Sequence, residues 1–197
     1  MRKKYIFNLL IIFPLITFAQ NDSSKRNAYL IADIAYPIPS SGSTFNRVYD
    51  GMFDITLGYG IIRKKIILGG NVGFSYFRVS PKVLELNGTM TILSPGLNIG
   101  YEFNIFKKTF IRPLLRCGYD FITFNGKDTN GNARPSYHEG GLSLSPMITA
   151  GYFFSKKFGV GLNGSYKVIF QHFGNKFVQE ENTTRIMSFG ISILYKL

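Results

Sequence analysis

From about residue 28 to the end of the chain, apolar residues alternate with small or polar ones in eight runs, at about 28–36, 52–62, 66–78, 92–105, 109–124, 142–154, 158–171 and 185–197. The last run shows the period most cleanly. Phe189, Ile191, Ile193, Tyr195 and Leu197 fall on one face, while Ser188, Gly190, Ser192 and Lys196 fall on the other together with Leu194. The seventh run agrees, with Val160, Leu162, Tyr166, Val168 and Phe170 against Gly159, Gly161, Asn163, Ser165 and Lys167. A period of two sends successive side chains to opposite faces, so each run predicts a strand. No segment after residue 20 repeats at the helical period.

The interruptions alternate in length. Three times a Gly-Tyr pair is followed within a few residues by a basic cluster, after which the alternation restarts: Gly58-Tyr59 before Arg63-Lys64-Lys65, Gly100-Tyr101 before Lys107-Lys108, and Gly151-Tyr152 before Lys156-Lys157. These predict tight hairpins at 63–65, 106–108 and 155–157. The connections at 37–51, 79–91, 125–141 and 172–184 are long and rich in Gly, Asn, Ser and Pro. Strands of ~9–11 residues, with some overhang, cross a bilayer when tilted. An all-β, eight-stranded antiparallel up-and-down transmembrane barrel follows, with its tight turns in the periplasm and its long loops outside. The Ser-Pro pairs at 94–95 and 145–146 are expected near the outer ends of the fourth and sixth strands, where a missing N–H does least harm.

Alternation alone does not say which face points outward. In a soluble lipocalin-type barrel the apolar face would line a cavity. In the fifth strand Arg112, Arg116 and Asp120 share one parity, against Ile111, Leu115, Cys117, Tyr119 and Phe121. A lipid-facing Arg at mid-membrane costs about 2–4 kcal/mol, so in a membrane barrel these charges face the lumen. The polar face elsewhere (Gly69, Asn71, Gly73, Ser75, then Ser94, Gly96, Asn98, Gly100) is small and scarcely charged. A water-facing sheet normally carries many Lys and Glu, whereas a narrow lumen needs small side chains. The membrane barrel is the better fit.

Two constellations follow from that face assignment. About a turn centred on 104–109, Glu102 faces Arg112, Asn98 faces Arg116 and Ser94 faces Asp120, while Asp33, Asp54 and Lys167 point inward by parity. Such charges could form a polar pathway for a solute or proton, or a paired network filling a barrel too narrow to conduct; eight strands favour the second. Tyr59, Tyr101, Tyr152 and Tyr195 all face outward near the turns, which predicts an aromatic girdle at the periplasmic edge, with the basic turns just below it at the lipid headgroups.

The N-terminus is a leader rather than part of the fold. Arg2, Lys3 and Lys4 precede an apolar stretch from Tyr5 to Phe18, and Thr17-Phe18-Ala19 suits cleavage after Ala19, giving a signal peptide at 1–19 and a barrel domain at 20–197. The leader takes three of the 23 basic residues, leaving 20 against 11 acidic ones. Seven of the 20 sit in the tight turns, and export argues against nucleic acid as a partner. Cys117 is the only cysteine, so no internal disulfide staples this exported chain.

Acid–base chemistry has few candidates. His138-Glu139 falls in the third long connection and His172 begins the fourth, with Ser136, Ser143 and Glu180 as conceivable partners for a hydrolase at the outer rim. Their spacing matches no motif of the enzymatic outer-membrane barrels. Two histidines and one cysteine offer no metal set, and no cofactor motif is present.

In these features the whole mature chain resembles the small outer-membrane β-barrel proteins, the OmpA, OmpX and PorT-like group. One departure is the terminus: the group usually ends in an aromatic residue, while this chain ends Tyr195-Lys196-Leu197. The resemblance implies an outer-membrane location among lipid and lipopolysaccharide, a monomer, and a structural or interaction role through the outer loops. It leaves open a narrow channel, an accessory subunit with an envelope protein partner, and a rim hydrolase.

Overall fold

The computed structural model describes residues 27–40, 44–80, 87–127, 136–171 and 183–197. The expected leader, His172 and Glu180 lie outside them. Eight long strands are present: β1 (Asn27–Pro39), β2 (Tyr49–Arg63), β3 (Ile66–Val79), β4 (Asn87–Tyr101), β5 (Thr109–Lys127), β6 (Tyr137–Phe153), β7 (Phe158–Gln171) and β8 (Thr183–Lys196). Beyond Glu102, a two-residue strand, Phe103–Asn104, continues β4 alongside β5. Each strand pairs antiparallel with the next, and β1 pairs with β8 from Tyr29↔Lys196 to Pro39↔Ile186, which closes the sheet. Closure leaves no strand edge, so the backbone satisfies its own hydrogen bonds.

The register also gives the barrel's tilt. Starting at Leu30, successive partners are Tyr59, Gly70, Leu97, Cys117, Leu144, Val168 and Arg185. Arg185 then receives the backbone N–H of Ser40, ten residues beyond the starting point and just past the end of β1. A shear of that size over eight strands tilts them by about 40°. The parity rule holds around the barrel: Leu57, Leu97, Ile148 and Leu162 are exposed, while Asp33, Thr56, Arg112 and Ser192 are buried.

Three sequence expectations are corrected. A short helix, α1 (Thr44–Val48), interrupts the first long connection; at five residues it is too short to show a helical period. The long connections are tighter than 13–17 residues, with only 80–86 between β3 and β4 and 128–136 between β5 and β6. The strands outrun their apolar stretches because polar residues still pair through the backbone, as in Asn87↔Lys127 and Thr89↔Asn125. Pro95 and Pro146 lie mid-strand rather than near the outer ends. Each interrupts the pairing on one side: β4–β5 jumps from Leu93↔Phe121 to Gly96↔Gly118, and β6–β7 from Leu144↔Val168 to Met147↔Ser165. A proline has no N–H for the ladder, and a closed barrel offers it no edge.

Candidate functional site: the lumen and its rims

The inward face divides into three layers. At the tight-turn end, Tyr29, Ile31, Ile62, Ile67, Phe110, Leu114, Met147, Phe153 and Leu194 form one buried apolar cluster. At the loop end, Phe77, Met90, Ile92, Ile122, Ile169 and Ile186 form a second. Phe45 of α1, Tyr49 and Phe124 pack over it, with Phe45 and Phe77 rings 5.2 Å apart, edge to face. Between the clusters lies a polar layer. Parity in the sequence finds the inward positions, yet the inward residues near the strand ends are apolar, as Leu194 already hints.

Within the inner cluster, Arg112 is fully buried and donates from Nε and Nη2 to Glu102 Oε2 at 2.7 and 2.5 Å. Its guanidinium lies 4.4 Å from the Phe110 ring centre and 4.7 Å from that of Tyr29, with Phe153 at 5.8 Å. A buried cation requires its counter-charge, and aromatic faces add to the attraction.

In the polar layer Asp33 is a hub. It accepts from Arg116 Nη2 and Ser192 Oγ at 2.5 Å each, and from Asn163 Nδ2 at 3.3 Å. Lys167 Nζ donates to Ser94 Oγ at 2.9 Å and lies 3.6 Å from Asp120 Oδ2, while Ser143 Oγ donates to Asp120 Oδ1 at 3.1 Å. Asp54 Oδ2 accepts from Ser188 Oγ at 3.5 Å. A cavity of about 30 Å³, lined by Asp54, Asn71, Arg116, Asp120 and Lys167 among others, remains in this layer. That is room for one or two waters. Arg116 pairs by register with Asn98 but turns its guanidinium across the lumen to Asp33, 83 residues away in sequence. Asn163, Ser192 and Ser143 carry much of the network, and only their inward parity marks them in sequence.

Outside, Tyr59 and Tyr152 are exposed, and Tyr101 and Tyr195 are partly covered by Phe103 and Phe158, with ring centres 4.6 and 4.8 Å apart. The register, strand rise and tilt place the four tyrosines within about 7 Å of one another along the barrel axis. A second belt, which sequence reasoning missed, comprises Tyr36, Phe53, Phe74, Tyr119, Phe121 and Phe170. It lies roughly 20 Å nearer the loop end on the same reckoning, with the apolar wall between.

Among the described residues, the acid–base candidates do not assemble. His138 and Glu139 are in β6 rather than in a loop, as consecutive residues on opposite faces of the strand. His138 Nδ1 is 3.1 Å from Thr123 Oγ1 and the ring is exposed. Ser143 is buried in the lumen, and Ser136 donates to Asn125 Oδ1 at 2.8 Å.

Solved structures share this architecture at low identity. Neisserial surface protein A aligns over 88% of this chain and 100% of its own, at 14% identity and a TM-score of 0.60. A major outer membrane protein from Thermus thermophilus covers 86% of this chain and 99% of its own, at 12% identity and a TM-score of 0.59. Ail, the attachment invasion locus protein of Yersinia pestis, covers 88% and 100%, at 12% identity and a TM-score of 0.51. No curated protein matches the chain. The model of one family spans residues 6–196, nearly the whole sequence, and with the closed eight-stranded barrel it places this protein in the outer membrane: the chain belongs to the outer membrane protein beta-barrel domain family.

Proposed function

We propose that this protein is a non-conducting outer-membrane barrel that acts as a membrane-embedded support for its outer loops, which engage partners at the cell surface. The observation that carries this reading is the layering of the lumen: an apolar cluster at each end, the inner one enclosing the Arg112–Glu102 pair, with an ion-paired layer between them. A conducting pore needs continuous water, and a dry constriction of packed Ile and Phe opposes wetting as well as ion passage. The network of Asp33, Asp54, Glu102, Arg112, Arg116, Asp120 and Lys167 then holds the eight strands in register rather than passing solute. The four inner tyrosines set the barrel's depth in its lipid.

A rim hydrolase is the weaker reading, because His138 lies on the outward face of β6 while Glu139 and Ser143 lie on the lumen face. The loops are the natural contact surface on a rigid scaffold. Ail, of similar fold, is named for attachment and invasion and has been solved with the heparin analogue sucrose octasulfate, so a barrel of this shape can serve attachment. Co-purification in mild detergent separates a lone monomer from a subunit of an envelope complex.

The test is electrical. Purified protein in planar bilayers is expected to give no stable unitary conductance, and Arg116→Ala is expected to stay silent because both apolar clusters remain. A reproducible wild-type channel whose conductance shifts in Arg116→Ala would sink the proposal.

A further inference from the structure

We infer that the tight-turn end of the barrel is a docking surface for anionic phospholipid, in which the turn lysines hold the headgroup phosphate while the tyrosine belt fixes their depth. Three observations meet there.

The first is charge. All three tight turns are basic, with seven Lys and Arg among them, while Lys196 at the same end turns its ammonium over the Phe153 ring of the inner cluster. Among the described residues, the one acidic side chain at that end is Glu102, which is buried and paired with Arg112. No acidic side chain described on that rim offsets the positive field, which attracts anionic lipid.

The second is aim. Lys108 Nζ sits over the Tyr152 ring, 5.9 Å from its centre. Lys157 Nζ lies 5.5 Å from the centre of the Tyr195 ring and 3.5 Å from its hydroxyl. These ammonium groups fold back along the barrel wall toward the lipid. A surface built to meet a soluble periplasmic partner would extend them away from it.

The third is backbone cost. The β2–β3 hairpin closes through Lys64 and Lys65, at φ 49° and 71°. Two positive φ values in succession define a turn that favours Asn-Gly, because a Cβ there clashes with the chain. The turn carries two lysines instead. A local rule broken with no gain to the fold marks a position held for its side chains. Here the gain is charge at the headgroup level, at the turn that follows Tyr59 along β2.

The experiment measures lipid selectivity around the full chain in phosphatidylcholine nanodiscs carrying a trace of spin-labelled lipid. Labelled phosphatidylglycerol is expected to be immobilised about five-fold more than labelled phosphatidylcholine, the effect of one well-placed lysine. The preference should collapse toward unity in about 0.5 M NaCl, where the Debye length is short. It should fall in Lys107→Gln/Lys108→Gln/Lys156→Gln/Lys157→Gln. It should also fall in Lys64→Asn/Lys65→Gly, whose relaxed turn keeps the barrel folded by circular dichroism and gel shift even if the fourfold variant is not. Equal immobilisation of the two lipids by the wild type overturns the inference, as does a preference that survives both variants. Salt-dependent capture of soluble polyglutamate by a wild type that shows no lipid preference would assign the rim to an acidic protein instead, and overturns it too.

Discussion

The two ends of the lumen are packed by different physics. At the inner end, Arg112 and Glu102 form a buried ion pair enclosed by the rings of Tyr29, Phe110 and Phe153. At the outer end, Phe77, Ile92, Ile169 and Ile186 meet with no charge among them, beneath Phe45 of α1. Apolar closure degrades gradually when atoms are removed, since each methylene contributes its own share. Closure around a charge is brittle: it depends on both partners, and either one alone is worse than neither.

The sharpest way to break this contrast is at the inner end. Glu102→Ala leaves Arg112 buried without its counter-charge and should cost about 4 kcal/mol in urea unfolding from lipid bilayers. Replacing both partners, Glu102→Gln with Arg112→Met, should recover most of that loss or exceed wild-type stability. If the double variant is as unstable as the single one, the ion pair is not what makes this end brittle. At the outer end Phe77→Ala should cost about 3 kcal/mol, with smaller losses for smaller truncations nearby. Leu57→Arg probes the other face of the wall. This exposed residue lies near mid-membrane, and its substitution should cost about 2–3 kcal/mol in bilayers. A neutral outcome there would contradict the outward assignment. The smallest effect has the opposite sign: Lys64→Asn/Lys65→Gly should raise stability by about 1 kcal/mol by relieving two positive-φ lysines.

The same contrast separates what the sequence carries from what it does not. Strand number, strand faces and the tight turns follow from a period of two and from the basic clusters, because these are local properties of the backbone. A pair within one hairpin, such as Glu102 and Arg112, lies within reach of counting residues about a turn. The Asp33–Arg116 pair does not, since it spans 83 residues and depends on the barrel's shear. The outer apolar closure is hidden for a related reason: Phe77, Ile92, Ile122 and Ile169 come from four different strands, with only Ile92 and Ile122 facing each other within one hairpin, and each alone is one apolar residue at a polar-parity position. Strand ends escape the apolar period wherever polar residues keep pairing beyond the apolar band. That is why His138 and Glu139, which read as loop residues in sequence, stand in a strand.

The central claim is that both ends of the lumen are shut, and chemical access to its middle tests it most directly. Ser192 is fully buried in the polar layer, hydrogen-bonded to Asp33. Ser192→Cys in a Cys117→Ser background, treated in intact vesicles with a small charged thiol reagent, should stay unlabelled while folded and react on unfolding, whereas Ser136→Cys at the exposed rim reacts at once. Labelling of folded Ser192→Cys at a rate near that of Ser136→Cys would show that water and ions reach the middle of the barrel, and would contradict the account.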